Sequence, residues 1–132
     1  MIVLDTHAWL WWLGDPERLG AAAAAAIEHA IAEDAVHIST VSAWEVALLI
    51  ARGRLELDRS AEDLVRGTEA LPFVSFVDVD VRIATRSVRL DLPHPDPADR
   101  FIAATADLLG CPLVTADRRL QAAGWLQTVE SS

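Results

Sequence analysis

Short apolar runs alternate with longer amphipathic segments along the chain, and this alternation predicts strands and helices that follow one another. The apolar runs are bounded by turn residues, and the helical segments begin at capping residues and stop near glycine or proline. Strands are predicted at 2–4, 36–39, 73–79 and 112–115, with a further edge strand at 125–129. Helices are predicted at 6–13, 17–33, 40–51, 61–71, 81–90, 99–109 and 117–123.

The predicted strands are apolar throughout rather than alternating between apolar and polar residues. Such strands, separated by helices, are typical of a parallel sheet that is covered on both faces. Ligands of parallel sheets bind beyond the carboxyl ends of the strands. The α/β pattern therefore directs attention to the residues that follow each strand.

Four acidic residues occupy such positions, namely Asp5, Glu45, Asp99 and Asp117. Asp5 and Asp117 follow strands, Asp99 opens a helix, and Glu45 lies about one turn into one. If the sheet gathers these carboxylates at one edge, each like-charge contact at 4 Å costs about 4 kcal/mol at an effective dielectric constant near 20. A bound magnesium or manganese ion would offset this cost. The set predicts a metal site that acts on phosphate esters.

Each acid also has a simpler structural interpretation. Asp5 is suited to cap the helix that starts at Thr6. Ser42 and Glu45 fit a capping box, although Glu45 also lies on the predicted inward stripe of Val41, Trp44, Leu48 and Leu49. Asp96 is the better cap for the helix in which Asp99 falls in the first turn, and the helix dipole favours an acid at either position. The functional prediction therefore depends on the four acids as a set.

Length and composition place the chain among globular proteins with one domain over residues 1–132. Apolar residues make up 52% of the chain, which is ample for a core. No apolar run approaches the roughly 18 residues that a membrane helix needs. The first residues lack the basic segment of a signal peptide, so we expect a cytoplasmic protein without a membrane partner.

The basic residues exclude several other phosphate-handling classes of protein. The net charge is −9, and all eleven basic residues are arginines. A receiver domain, a P-loop and a haloacid-dehalogenase phosphatase each require a lysine that this chain lacks. The single cysteine, Cys111, excludes an internal disulfide and a zinc site of several thiolates.

The four acidic segments together resemble those of the PIN-domain nucleases, and more closely those of the VapC-type ribonuclease toxins of prokaryotic toxin–antitoxin pairs. The segments are IVLDTHAWLWW, STVSAWEVALL, DPADRFIAATA and PLVTADRRL, and they occur in this order over essentially the whole chain. The resemblance implies a three-layer α/β/α sandwich around a parallel sheet of four to five strands. It also implies a metal-dependent endoribonuclease.

The resemblance assigns roles to individual residues. Asp5 and Asp99 match the family's most direct metal ligands, and Glu45 and Asp117 match positions that act through water or hold a second ion. The implied ion is Mg²⁺, with Mn²⁺ as a possible replacement. The implied accessory residues are Asp96, Thr6 and Thr115, and the arginines that could contact RNA phosphates are Arg100, Arg118 and Arg119.

The implied partners are an RNA substrate and a cognate antitoxin protein. Trp9, Trp12 and Leu13 share one face of the first helix and are predicted to lie in the core. Trp11 points elsewhere, which makes the helix apolar nearly all round and favours a homodimer interface or an antitoxin groove over base stacking.

Three alternatives stay open. A housekeeping PIN-type nuclease that processes RNA or DNA would carry the same acids. His7 and His94 could support metal-free cleavage of RNA by general acid–base catalysis. A non-catalytic module could bind a partner protein and use the acids only as helix caps.

Overall fold

A computed structural model describes residues 1–93 and 95–131, and its centre is a five-stranded sheet in which every paired strand is parallel. The strand order is β3-β2-β1-β4-β5. The predicted parallel α/β fold is confirmed. The strands are β1 (Ile2–Leu4), β2 (Val36–Ser39), β3 (Val74–Val77), β4 (Leu113–Thr115) and β5 (Thr128–Glu130).

Helices connect the strands and cover both faces of the sheet. The helices are α1 (Thr6–Gly14), α2 (Ala21–Ala32), α3 (Thr40–Ala51), α4 (Ala61–Glu69), α5 (Val81–Arg89), α6 (Pro97–Leu109) and α7 (Arg118–Gln121), with a 3₁₀ turn at Pro16–Leu19. None of those in the described part of the chain is both long enough and apolar enough to cross a bilayer.

The side chains of the sheet alternate between two separate apolar layers. Leu4 and Ile38 point into a layer formed with α1, α2 and α4, which includes the fully buried Trp9. Val3 and Leu113 point into the opposite layer, formed mainly with α5, α6 and α7. These two layers and the sheet between them form the three-layer sandwich that the family resemblance implied.

The largest difference from the predicted elements lies between residues 17 and 33. The continuous helix predicted there is wrong, because Gly20 adopts φ +83° and ψ 162°. This conformation is accessible to glycine and interrupts the helical hydrogen bonds. The chain therefore forms the 3₁₀ turn first and α2 afterwards.

The predicted inward stripe of α3 is wrong at Trp44. Trp44 is 57% exposed, although it belongs to the apolar pattern of that helix. Val46 is the fully buried residue that α3 contributes to the core. Glu45 therefore lies between an inward-facing and an outward-facing position, at the edge of the sheet.

Strand order positions the functional edge of the molecule. The chain runs from β1 outwards to β3 on one side and then returns to β4 and β5 on the other. The loops after β1 and β4 consequently leave in opposite directions, which opens a crevice at the carboxyl ends of the strands. Asp5 and Asp117 lie at this crevice.

Candidate active site

A cleft of about 400 Å³ lies at the carboxyl ends of the strands, and all four of the predicted acids line it. Asp96, which was predicted to be accessory, lines it as well. The described residues around the cleft are Asp5, Thr6, His7, Trp11, Glu45, Asp96, Asp99, Ala116 and Asp117. The sheet thus brings together acids that are up to 112 residues apart in the chain.

Asp5 follows β1 directly and caps α1. Its Oδ1 accepts a hydrogen bond of 2.8 Å from the backbone N–H of Ala8, so the capping interpretation of this residue is correct. Capping does not exclude a role in the cleft, because a carboxylate has about four acceptor positions. Burial raises the pKa of Asp5, which a hydrogen bond from Thr115 and the cap partly offset. A nearby cation would favour the ionised form.

Glu45 is held by a hydrogen bond from a distant part of the chain. Its Oε1 lies 2.5 Å from the hydroxyl of Thr6, which in turn lies 2.9 Å from the hydroxyl of Ser42. A threonine hydroxyl has one proton to donate and can also accept. The carboxylate is the stronger acceptor, so we infer that Thr6 donates to Glu45 and accepts from Ser42.

This arrangement excludes the capping-box interpretation of Glu45. The N-cap of α3 is Ser39, whose hydroxyl accepts from the backbone N–H of Val41 at 3.2 Å. Ser42 lies inside the helix and is fully buried. Burial is also the largest influence on Glu45 and raises the pKa of its carboxyl, with a further increase from the negative charges of Asp96 and Asp5.

The tightest group of carboxylates consists of Glu45, Asp96 and Asp99, whose ligand oxygens all lie within 4.8 Å of one another. Asp96 caps α6 by accepting from the backbone N–H of Ala98 at 2.9 Å, as predicted. Asp99 follows in the first turn of the same helix. Asp96 is therefore one of the three residues of this group, although the sequence predicted only an accessory role for it.

Asp117 approaches the cleft from the opposite side. It caps α7 by accepting from the backbone N–H of Arg119 at 2.8 Å, and Arg119 Nε lies 3.7 Å from the same oxygen. Thr115 fixes the turn before it, because its hydroxyl accepts from the backbone N–H of Asp117 at 3.0 Å. Thr115 thus contacts both Asp5 and Asp117, and its predicted supporting role stays a prediction.

The three predicted RNA-binding arginines have different surroundings. The guanidinium of Arg100 donates to the backbone carbonyls of Ser87, Leu90 and Leu92, at 2.6 to 3.0 Å. This geometry gives Arg100 a structural role at the end of α5 and does not support the prediction that it contacts RNA. Arg118 and Arg119 are exposed beside Asp117, so their predicted contact with phosphate stays a prediction.

Only one residue of the alternative histidine pair can be placed. His7 is exposed and lines the cleft. His94 lies outside the described residues. The cleft also contains two residues that the sequence did not assign to it, Trp11 and Ala116.

Comparison with known proteins identifies the family. The profile of the PIN domain family matches residues 2–126. The chain belongs to the PIN domain family. The chain is also 37% identical over 121 residues to ribonuclease VapC22 of Mycobacterium tuberculosis, a match that covers 91% of this chain and 89% of that protein. The resemblance to PIN-domain nucleases, and to the VapC type among them, is therefore confirmed.

Solved structures share the fold of this PIN domain at low sequence identity. VapBC2 of Rickettsia felis, bound to a DNA fragment from its promoter, superposes with a TM-score of 0.74 at 14% identity over the full length of both chains. FitAcB of Neisseria gonorrhoeae gives a TM-score of 0.66 at 22% identity, over 98% of this chain and 97% of the other. Both are similar in fold.

The donor chemistry of the cleft fits a divalent cation. Five of its nine described lining residues are carboxylates, and hard cations such as magnesium and manganese prefer oxygen ligands. Glu45, Asp96 and Asp99 could each supply one oxygen to the same ion, and Asp5 and Asp117 line the same cleft. Burial raises the pKa of Asp5 and of Glu45, which disfavours their ionised forms. A bound cation would stabilise the ionised form of both carboxyls.

Proposed function

We propose that this protein is a metal-dependent endoribonuclease and the toxin of a type II toxin–antitoxin pair. The observation that carries the proposal is a cluster of three carboxylates, Glu45, Asp96 and Asp99, in the cleft of a PIN domain. One oxygen from each lies within 4.8 Å of the other two. The relative from Mycobacterium tuberculosis is named a ribonuclease, which supports RNA as the substrate. The single PIN domain over residues 1–132 is part of the same proposal.

Asp5, Glu45, Asp99 and Asp117 are the proposed catalytic and metal-binding set, with Asp96 as a further ligand. Magnesium is the proposed ion, and manganese is expected to replace it. When bound, such an ion activates water for attack on phosphorus and offsets the charge of the phosphodiester and the leaving oxygen. The protein side chains do the positioning.

Thr6 is proposed to keep Glu45 directed into the cleft, because its hydroxyl reaches the carboxylate from a different element. Thr115 plays the same part for Asp5 and the turn at Asp117. Carboxylates fixed in this way lose little freedom when an ion binds, and such supporting hydrogen bonds commonly change activity by about ten- to a hundredfold. Attack by the activated water on phosphorus, with the 3′-oxygen as the leaving group, would give a 5′-phosphate and a 3′-hydroxyl without any part for the 2′-hydroxyl of RNA.

The proposed partners follow from the family and from charge. The relatives in VapBC complexes support a cognate antitoxin. The acidic cleft suits an antitoxin that places a basic side chain close to Glu45 and Asp99, and full activity in the saturated complex would contradict this. A homodimer and a cytoplasmic location, where RNA is abundant, complete the proposal.

The test is cleavage of total cellular RNA by purified protein with magnesium, with manganese and with EDTA. We expect discrete fragments that require the ion and carry 5′-phosphates. The active-site variant is Asp99→Asn, and the matched control is Asp107→Asn, which changes an acid on the same helix that pairs instead with Arg86 at 2.9 Å.

The outcomes separate the alternatives. Loss of cleavage in Asp99→Asn but not in Asp107→Asn supports the metal-dependent nuclease. Cleavage that survives EDTA, with products ending in a 2′,3′-cyclic phosphate, would contradict it and favour a mechanism that uses His7. Absence of both cleavage and metal binding in calorimetry would instead favour a partner-binding module.

A further inference from the structure

The cleft has an aromatic side as well as an acidic one. His7 and Trp11 lie one turn apart on α1, and both line the cleft. Their ring centroids are 5.9 Å apart, with the ring planes inclined at 50°. Trp11 is the only indole among the described lining residues. An indole at the rim of a phosphodiester-cleaving site offers a surface on which a nucleobase can pack.

A cation accompanies this indole. The guanidinium carbon of Arg18, in the 3₁₀ turn, lies 4.9 Å from the centre of the Trp11 ring. This distance is typical of a cation–π contact. Arg18 itself is exposed, so the contact places a positive charge beside an otherwise acidic cleft. RNA that approaches the five carboxylates therefore meets the rings of His7 and Trp11 and the guanidinium of Arg18 on the α1 side.

Core packing accounts for the other tryptophans of α1 but only partly for Trp11. Trp9 is fully buried, and its indole N–H donates to Thr68 at 3.1 Å. Trp12 packs with Phe73, with ring centroids 6.1 Å apart. Trp11 is half-buried, with one part against the core and another at the cleft. A leucine could fill the core contact, but it could not stack on a base.

We propose that Trp11 is a substrate-positioning residue, on whose indole a base next to the scissile phosphate packs, and that Arg18 contacts a neighbouring phosphate. The inference rests on the proposed nuclease function and adds to it how RNA is held. Stacking on an aromatic ring tolerates many base sequences. It also adds affinity without a need for positive charge, which is useful in a protein whose net charge is −9.

The kinetic test compares three variants with wild type on a dye-labelled single-stranded RNA of randomised sequence. Trp11→Leu keeps apolar packing and removes the stacking surface, and we expect KM to rise roughly tenfold with a small change in kcat. Trp11→Phe restores an aromatic ring and should recover most of the loss. Trp12→Leu is the matched control on the same helix, and its KM should equal that of wild type.

A second measurement observes the indole itself. Protein labelled with 5-fluorotryptophan has five ¹⁹F resonances, because the chain has five tryptophans, and Trp11→Phe identifies the one from Trp11. We expect this resonance to shift with an adenylate octamer in the presence of magnesium, and to shift far less with an abasic octamer of equal charge. The integrity of the RNA is checked after each titration.

Several outcomes would overturn the inference. A Trp11 resonance that stays still, or that shifts equally with both octamers, excludes base stacking at this ring. Unchanged KM in Trp11→Leu, together with weaker inhibition by the antitoxin, would assign the indole to the protein partner. In both cases metal-dependent cleavage by wild type would persist, so the proposed function would stand while this inference fails.

Discussion

The cleft and the two apolar layers of this PIN domain treat buried polar groups in different ways. In the layers, Thr68, Ser87 and Thr105 donate to carbonyls three or four residues earlier in their own helices, at 2.7 to 2.8 Å. Such bonds form wherever a helix forms. Neutral groups also join distant segments of the layers, as the indole of Trp9 does with Thr68, whereas at the cleft Thr6 joins Ser42 to the carboxylate of Glu45, 36 and 39 positions away in the chain.

The difference shows which polar groups serve stability and which serve the site. The polar groups of the layers named above are neutral and have hydrogen-bond partners, so their burial lowers the stability of the fold only slightly. The cleft buries Asp5 and part of Glu45, and burial raises the pKa of both carboxyls. Charges collected in this way destabilise a protein unless a ligand offsets them. We therefore expect variants of the layers to change stability and variants of the cleft to change activity.

The largest expected effect is in the layer that contains Trp9. Trp9→Ala leaves a cavity and removes the donor to Thr68, and it should lower the free energy of unfolding by about 3–5 kcal/mol. Denaturant unfolding monitored by circular dichroism measures this. Trp44→Ala, at a residue that is 57% exposed, is the control and should change stability by less than about 0.5 kcal/mol. Equal losses in the two variants would contradict the assignment of the core.

The next effect is in the cleft and concerns activity. Asp99→Asn removes a proposed ligand and should lower metal-dependent cleavage at least about a hundredfold, because loss of even a supporting contact can cost that much. Its melting temperature should equal or exceed that of wild type, because one of several close negative charges is gone. A large loss of both activity and stability would show that Asp99 is a structural residue, and would break the comparison.

A smaller effect should follow from the connection between the cleft and α3. Thr6→Val keeps the side-chain volume but removes the hydroxyl between Ser42 and Glu45, so cleavage should fall roughly tenfold. Thr6→Ser retains the hydroxyl and should keep most of the activity. Initial rates at saturating magnesium measure both variants. If Thr6→Ser is as impaired as Thr6→Val, the methyl group rather than the hydrogen bond is what matters.

The sequence predicted those features that depend on local pattern. Apolar runs between helical segments specify a parallel sheet, and acids after those runs specify where carboxylates gather. The roles of Asp5 as a cap and as part of the cleft are both local consequences of its position at the end of β1. Asp96 was predicted as a cap for the same reason, and it is one.

Features that depend on contacts between distant segments could not be predicted. The hydrogen bond from Thr6 to Glu45 forms because β1 and β2 are neighbours in the sheet. The sequence does not show this pairing, and Ser42 and Glu45 could therefore be interpreted as a capping box. The outward direction of Trp44 depends on how α3 is rotated against the sheet. Trp11 lies at the cleft because it is one helical turn after His7, at the end of α1 that borders the cleft. Its neighbours Trp9 and Trp12 carry the same apolar signal in the sequence, but Trp9 is buried in the core and Trp12 is partly buried against it.

The smallest expected effect is on the stability of the metal-free protein. Burial raises the pKa of Asp5 above its ordinary 3.8 and that of Glu45 above its ordinary 4.5. The folded protein therefore binds these protons more tightly than the unfolded chain does. The stabilisation is fully present below the unfolded pKa values and is lost as the pH rises through the raised folded ones.

Glu45→Gln isolates this contribution, because glutamine cannot ionise and can still accept from Thr6. In EDTA at pH 7 the variant should be more stable than wild type by about 0.5 kcal/mol. The difference should shrink as the pH falls through the raised pKa of wild-type Glu45, where its carboxyl becomes protonated. Glu28→Gln, at an exposed acid on α2, is the control for the substitution itself. Magnesium should reverse the order at pH 7, because it stabilises wild type through a carboxylate that the variant lacks. If Glu45→Gln is less stable than wild type at every pH in EDTA, the carboxylate is a structural element, and the contrast between cleft and core does not extend to α3.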